Sequence, residues 1–172
     1  MGRDKALLPF RGAALGAYVA AVVAAAAGSA TLIGDPAKYG CLSYPVVPDG
    51  RPGAGPAGGI ETALAHTAAD WNVVLACDMP GITAALLREL LDAAERSGAD
   101  ALLPTGPAGL PEPLCAVYHR RCGAVLGRAL DAGVRKVTDA LAGLRIAPWN
   151  VFDTGCFENV NTPEEWARYD AR

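Results

Sequence analysis

An apolar run followed at once by a carboxylate is the segment of this sequence best suited to chemistry. Residues 73–80 are Val-Val-Leu-Ala-Cys-Asp-Met-Pro, and the unbroken run predicts a strand, Val73–Cys77, covered on both faces as in a parallel sheet. Asp78 then lies at the carboxyl end of the strand, where ligands of open α/β sheets bind. A carboxylate there could hold Mg²⁺, which takes oxygen ligands. Asp78 could equally cap a helix or close a turn, so both interpretations stay open.

Four other polar side chains are candidates for a site. Lys5 lies in a glycine-flanked stretch near the N-terminus and could pair with a phosphate or be a solvated surface charge. Asp49 ends a predicted strand beside a Gly-rich loop, so it could hydrogen-bond a base or ribose, although Pro-Asp-Gly is also an ordinary turn. Asn159 and Asn161 precede a well-signalled helix, and one could shape the turn while the other faces a pocket.

Several common chemistries have no support in the sequence. His66 and His119 are isolated, the five cysteines form no CxxC pair, and no zinc-like spacing links the two residue types. We find no Ser/His/Asp or Cys/His arrangement with a nucleophile elbow. Neither a Walker A sequence nor a GxGxxG fingerprint before a helix is present.

Composition predicts one domain, 1–172, in a reducing cytoplasm. A length of 172 residues suits a single core. A net charge of −3 argues against non-specific binding to nucleic acid or anionic membranes, which needs a basic surface. The charged N-terminus lacks the apolar core of a signal peptide, and the cysteine count is odd. The Ala-rich run 13–27 is shorter than the roughly 20 residues that span a bilayer, and therefore predicts a buried helix.

Strands and helices are predicted to alternate at short spacing, which indicates βαβ units and a mostly parallel sheet. The predicted strands are Ala30–Ile33, Tyr44–Val47, Val73–Cys77, Ala101–Leu103, Leu114–Tyr118 and a segment around Ile146. The predicted helices are Gly12–Ala27, Ile60–Thr67, one from Thr83 to about Ser97, Arg121–Leu130, Lys136–Leu141 and one with Thr162 as its N-cap and Pro163 as its first residue.

The loosest segment is Gly50–Gly59, whose glycines and prolines argue against a helix or a central strand. It could be a flexible linker or a loop whose small residues let the backbone approach a ligand. The flanking segments are too short to be separate domains, which favours the ligand loop. The helix predicted to follow would offer free N–H groups to an anion.

Five segments together resemble the molybdenum cofactor guanylyltransferase (MobA) family, and the resemblance extends over essentially the whole chain. Each segment alone is weak, but five in this order and spacing are fairly specific. In order, they are Met1–Leu8, Gly55–Ile60, Leu75–Pro80, Pro111–Leu114 and Asn159–Glu165.

The resemblance implies a Rossmann-like nucleotidyltransferase fold. The implied reaction joins GMP from Mg·GTP to the terminal phosphate of molybdopterin and releases pyrophosphate. By this resemblance, Lys5 contacts the GTP phosphates, and Asp78 binds Mg²⁺ and the nucleotide. Asp49 lies near the guanine or the ribose, and Gly34, which has no side chain, is a further nucleotide contact. Asn159 and Asn161 line the pterin side. Such a transfer needs positioning and charge neutralisation more than a covalent nucleophile. Other proteins of molybdenum cofactor synthesis are implied as partners.

One departure from the family pattern concerns the N-terminus. The family begins with a strand and a Leu-Ala-Gly-Gly-x-Ser-x-Arg loop directly before Met-Gly-x-Asp-Lys. Here Met1 stands where that loop should end. We therefore expect a truncated or misassigned start, with the first strand, central in the family's sheet, missing together with a loop that contacts the nucleotide.

Two other functions compete with guanylyl transfer. One is a cytidylyltransferase acting on the same pterin, or a nucleotidyltransferase of this fold with another phosphate-bearing acceptor. The other is a non-catalytic nucleotide-binding or partner-binding module. Retention of Lys5, Asp49 and Asp78 argues mildly against the module, because binding alone does not need a metal carboxylate.

Overall fold

A computed structural model describes residues 4–105, 109–151, 154–160 and 169. In chain order the elements are β1 (Pro9–Phe10), β2 (Ala13–Ala14), α1 (Leu15–Ala27), β3 (Leu32–Ile33), α2 (Pro36–Tyr39), β4 (Val46–Val47), α3 (Gly55–Ala65), β5 (Trp71–Leu75), α4 (Ala84–Ser97), β6 (Ala101–Thr105), β7 (Cys115–His119), α5 (Cys122–Asp131), α6 (Val137–Ala140) and β8 (Ile146–Asn150). Short 3₁₀ turns cover Lys5–Leu7, Gly40–Leu42 and Thr154–Phe157. No helix within these ranges is long and apolar enough to cross a bilayer.

The α/β class is confirmed, but the main sheet is mixed rather than mostly parallel. Its strand order is β5-β7-β6-β8, with β7 antiparallel to β5 and β6, and β8 parallel to β6. Only residues 106–114 separate β6 from β7. A parallel crossover needs a dozen or more residues, so β7 returns antiparallel.

The strand before Asp78 differs from its prediction in position and in environment. It is β5, which ends at Leu75 instead of Cys77. All five of its residues are half-buried, because it lies at one end of the four-stranded order instead of between two strands. An apolar run cannot by itself distinguish these two placements.

A cavity of about 410 Å³ separates β5 from a second, two-stranded sheet. That sheet pairs β3 with β4 in parallel. Leu32 and Ile33 of β3, Val73 and Leu75 of β5, and Val19 of α1 are among the residues that line the cavity. Within the described residues β3 and β5 each pair with one neighbour only.

Helices cover both faces of the four-stranded sheet. Alternate residues of a strand point to opposite faces, so Leu103 and Tyr118 pack with α3, α5 and α6 on one side. Leu102 and Val117 pack with α4 and α1 on the other. Burial on both faces explains why β6 and β7 are continuous apolar runs.

The start of α4 and the end of α1 follow local sequence signals, whereas the start of α3 differs from its prediction. The Thr83 hydroxyl accepts the Leu86 N–H at 3.2 Å, and Gly28 ends α1 with φ +83°, both as predicted. The prediction of an irregular segment up to Gly59 is wrong, because α3 begins at Gly55. Pro56 fits the first turn, and a Cβ on Gly58 would lie 2.8 Å from the Ala54 Cβ. The preceding turn of the chain, at Ala54 and at the Arg51 carbonyl, therefore leaves no room for a side chain at this position.

Asp100 joins the start of β6 to two arginines. Its carboxylate accepts hydrogen bonds from Arg121 Nε at 2.7 Å, from the Arg145 guanidinium at 3.1 Å and from the Arg145 backbone N–H at 2.9 Å. The bonds from Arg145, supplemented by Arg121, hold the pKa of Asp100 far below its usual range against the opposing effect of burial. This carboxylate stabilises the folded chain while it is ionised.

We expect Asp100→Asn to lower the free energy of unfolding by about 1–2 kcal/mol at pH 7, a value discounted because both guanidinium groups are solvated. The folded pKa is depressed, so the stabilisation is full above the unfolded value of about 3.9 and is lost as pH falls below it. Urea unfolding at pH 7 and near pH 2.5 should show that the difference in free energy of unfolding between the unaltered chain and Asp100→Asn becomes smaller in acid. Asp70→Asn, which removes an exposed ion pair with Arg120, is the control. If it lowers the free energy of unfolding as much as Asp100→Asn does, Asp100 has no special stabilising role.

Candidate functional site

Asp78 lies in the turn that follows β5. Its backbone carbonyl accepts the Val160 N–H at 2.9 Å, and buried Met79 and Ile82 anchor the turn on either side of Gly81. The side chain remains 27% exposed, with Oδ2 3.7 Å from Lys5 Nζ. A fixed backbone therefore presents an accessible carboxylate beside an ammonium group.

Lys5 is the first residue of a 3₁₀ turn that the sequence did not predict. Asp4 caps this turn, because its Oδ1 accepts the Ala6 N–H at 2.9 Å. The chain then forms the β1–β2 hairpin, whose Phe10 is buried against the Tyr18 ring at 4.8 Å. Anchoring on both sides fixes the backbone that carries the Lys5 side chain.

Gly34 and Asp49 follow the carboxyl ends of the neighbouring strands β3 and β4. The Gly34 N–H donates to the Val47 carbonyl at 2.9 Å, which brings the two strand ends together. The helix α2 begins two residues after Gly34, with Asp35 as its N-cap. Parallel strands thus place two predicted site positions at one edge, as expected for an open α/β sheet.

The loop after Asp49 is ordered by its own contacts. Asp49 Oδ1 accepts the Arg51 N–H at 2.9 Å and lies 3.4 Å from the hydroxyl of Thr62, which is 1% exposed. The same hydroxyl accepts the Gly50 N–H at 3.1 Å. Arg51 pairs with Glu61 of α3 and Asp131 of α5. These contacts argue against a flexible linker, and Asp49 Oδ2 makes no hydrogen bond to a described residue.

Of the two C-terminal asparagines, Asn159 lies within the described residues. Asn159 is exposed and precedes Val160, whose N–H is bound to the Asp78 carbonyl. The structure therefore places Asn159 beside the Asp78 turn. Asn161, like the predicted helix at Thr162, lies outside the described residues.

Two residues in this region carry no signal that sequence analysis could use. The Tyr39 hydroxyl donates to Asp4 Oδ2 at 2.7 Å and joins the end of α2 to the Lys5 turn. Thr62 fixes the Asp49 loop. Both contacts join segments distant in the chain, so no local pattern of residues predicts them. His66 Nδ1 lies 2.8 Å from the Thr62 carbonyl, and the His119 ring packs edge-on against the Trp71 ring of the neighbouring strand.

The donor set fits a hard divalent cation held by one protein carboxylate. Within the described ranges, no group of three or more His, Cys, Asp or Glu residues could hold a metal ion. Mg²⁺ commonly binds through one or two carboxylates, with substrate phosphates and water as its other ligands. Asp78 supplies an accessible carboxylate of this kind.

The fold and site define an α/β nucleotidyltransferase, and comparison with known proteins identifies the family. Residues 1–145 match the model of the MobA-like NTP transferase domain, so the chain belongs to that family. A Deinococcus radiodurans protein named "Probable molybdenum cofactor guanylyltransferase" is 34% identical over 99% of this chain and 88% of its own length. The resemblance found in the sequence is therefore confirmed.

Solved structures agree with this assignment. Molybdopterin-guanine dinucleotide biosynthesis protein A from Archaeoglobus fulgidus has a TM-score of 0.83 and 29% identity, over 99% of this chain and 90% of that one. A Mycobacterium tuberculosis H37Rv protein solved as a complex with manganese has a TM-score of 0.70 and 25% identity, over 99% and 94%. The nucleotidyltransferase fold is confirmed.

Proposed function

We propose that this chain transfers GMP from GTP to the terminal phosphate of molybdopterin and releases pyrophosphate. The observation that carries the proposal is the Lys5–Asp78 pair at the end of β5, in a chain 34% identical to a protein named as a probable guanylyltransferase. An acceptor phosphate oxygen forms the new bond to the α-phosphorus of GTP, and the bond from that phosphorus to the β-phosphate oxygen breaks.

The proposed chemistry needs charge neutralisation, which the site supplies. Lys5 offers an ammonium group to the phosphates, and Asp78 would hold Mg²⁺, which supplies further positive charge at the phosphates when bound. Preorganised charges of this kind stabilise developing negative charge without a covalent protein intermediate. The backbone contacts of the Lys5 turn and of the Asp78 turn keep both side chains in position.

The remaining predicted residues divide between the nucleotide and the acceptor. Asp49 Oδ2 would accept a hydrogen bond from the ribose or the guanine, and Gly34 would let the nucleotide approach the backbone at the end of β3. Asn159 and Asn161 would face the pterin. We also propose a cytoplasmic location, because the five cysteines are all free, and delivery of the acceptor by other proteins of molybdenum cofactor synthesis.

Calorimetric titration with GTP and with CTP, each with and without Mg²⁺, tests the nucleotide preference. We expect GTP to bind, to bind more tightly with Mg²⁺, and to bind better than CTP. A preference for CTP would favour cytidylyl transfer. A folded chain that binds neither nucleotide would contradict the proposal as it stands for this chain.

The cavity between β3 and β5 has apolar walls that an added strand could fill. An extension ahead of Met1, consisting of five apolar β-branched residues and a Gly-rich link, should raise Tm by about 5–10 °C. Such a segment would bury apolar side chains and could pair with both strand edges. An equally long extension of alternating Asp and Lys is the control. No rise in Tm, or an equal rise with the control, would show that the cavity does not accept a strand.

A further inference from the structure

The short helix α2 is tied to the N-terminal segment through one carboxylate. The Tyr39 hydroxyl donates to Asp4 Oδ2 at 2.7 Å, and Lys38 forms an ion pair with the same oxygen. Burial opposes ionisation of Asp4, but the bonds from Lys38 and Tyr39 outweigh it and lower the pKa of Asp4. Asp4 is therefore a charged acceptor that holds α2 against this segment.

The second oxygen of the same carboxylate orders the turn that bears Lys5. Asp4 Oδ1 accepts the Ala6 N–H at 2.9 Å and caps the 3₁₀ turn. Lys5 is the next residue along, and its ammonium lies 3.7 Å from Asp78 Oδ2. Loss of the bond to Tyr39 would let Asp4 rotate and would loosen the backbone from which Lys5 extends.

Gly34 is the position that admits the Tyr39 ring. A Cβ built on Gly34 would lie 2.6 Å from Cε2 and 2.9 Å from Cδ2 of that ring. Any larger residue at this position would have to displace the ring and draw its hydroxyl away from Asp4. The glycine at position 34 therefore allows the Tyr39 ring to lie where its hydroxyl reaches Asp4.

We propose that Tyr39 is a positioning residue that acts through Asp4 to hold Lys5 for contact with the nucleotide phosphates. This inference rests on the proposed function, which assigns the contact with the nucleotide phosphates to Lys5. Lys38 contributes less to orientation, since its side chain is 46% exposed and exposed ion pairs are weak and screened. The Tyr39 hydroxyl is half-buried and makes a directional bond to a charged acceptor, which is the stronger kind.

Tyr39→Phe tests the inference, because it removes the hydroxyl and keeps the ring beside Gly34. We expect GTP and inorganic pyrophosphate to bind about five- to tenfold more weakly, while guanosine, measured as a competitor, keeps its affinity within twofold. Tyr44→Phe is the control, since the Tyr44 hydroxyl makes no hydrogen bond within the described part of the chain.

A double-mutant cycle separates positioning from general stabilisation. In a Lys5→Met background, Tyr39→Phe should weaken GTP binding by less than twofold, because the group that it positions is gone. If Tyr39→Phe still weakens GTP binding five- to tenfold in that background, or weakens guanosine binding as much as GTP binding, the inference is overturned. The proposed function is judged separately, by GTP binding to the unaltered chain and by the effect of Lys5→Met alone.

Discussion

Replacing Asp78 with asparagine should reduce turnover at saturating GTP and Mg²⁺ by at least about 100-fold, with the fold retained. The substitution preserves the shape of the side chain and removes the negative charge that would hold the metal. Losing one preorganised electrostatic contact in an active site costs about 10²–10³ in rate. The partly exposed ion pair with Lys5 contributes about 0–1 kcal/mol to folding, so the variant should remain folded.

Pyrophosphate release at increasing Mg²⁺ concentration measures this effect, and thermal unfolding checks the fold. Asp70→Asn is the matched control, since it makes the same change at an exposed carboxylate paired with Arg120. It should keep its activity within twofold. Turnover within about threefold of the unaltered chain in Asp78→Asn, with a lowered Tm, would show that Asp78 is only structural.

Lys5→Met should lower kcat/KM for GTP by about 100-fold, because the ammonium is the positive charge that the described site brings next to Asp78. Methionine keeps most of the aliphatic length, so the loss reports on charge. Lys5→Arg should recover only part of the activity, because a planar guanidinium does not replace a compact ammonium group.

Steady-state kinetics with GTP as the varied substrate provides the measurement. Lys136→Met is the control, because that lysine is exposed and pairs only weakly with Asp139 at 3.6 Å. A change of less than threefold in Lys5→Met would remove Lys5 from the phosphate site. A similar loss in both variants would indicate a general effect of net charge instead.

The sequence predicts the fold well where the governing interactions are local or periodic. The Thr83 cap and the Gly28 helix end depend on neighbouring residues, and both are confirmed. Apolar runs identified β6 and β7. The placement of β5 at one end of the sheet and the mixed strand directions depend on distant pairing partners, which hydrophobic periodicity does not encode. Gly58 lies inside α3, where a Cβ would lie 2.8 Å from the Ala54 Cβ, a close approach that the content of glycine and proline does not reveal.

The candidate site was predictable only in part, for the same reason. Residue type and position after a strand made Asp78 and Asp49 candidates, and the resemblance added Gly34 and chose among the open interpretations of Lys5. The structure brings Lys5 and Asp78 into contact. Tyr39 and Thr62 were not predicted, because each acts on residues distant in the chain. The roles of the predicted site residues, Asn161 included, stay predictions.

Transfer of label from GTP to the pterin tests the central claim most directly. The chain is incubated with molybdopterin, Mg²⁺ and GTP labelled at the α-phosphate, in parallel with GTP labelled at the γ-phosphate and with α-labelled CTP. We predict that α-label from GTP enters a guanine dinucleotide of the pterin and that γ-label leaves as pyrophosphate. Transfer from CTP instead of GTP, or no transfer by a folded chain that binds GTP, would contradict guanylyl transfer.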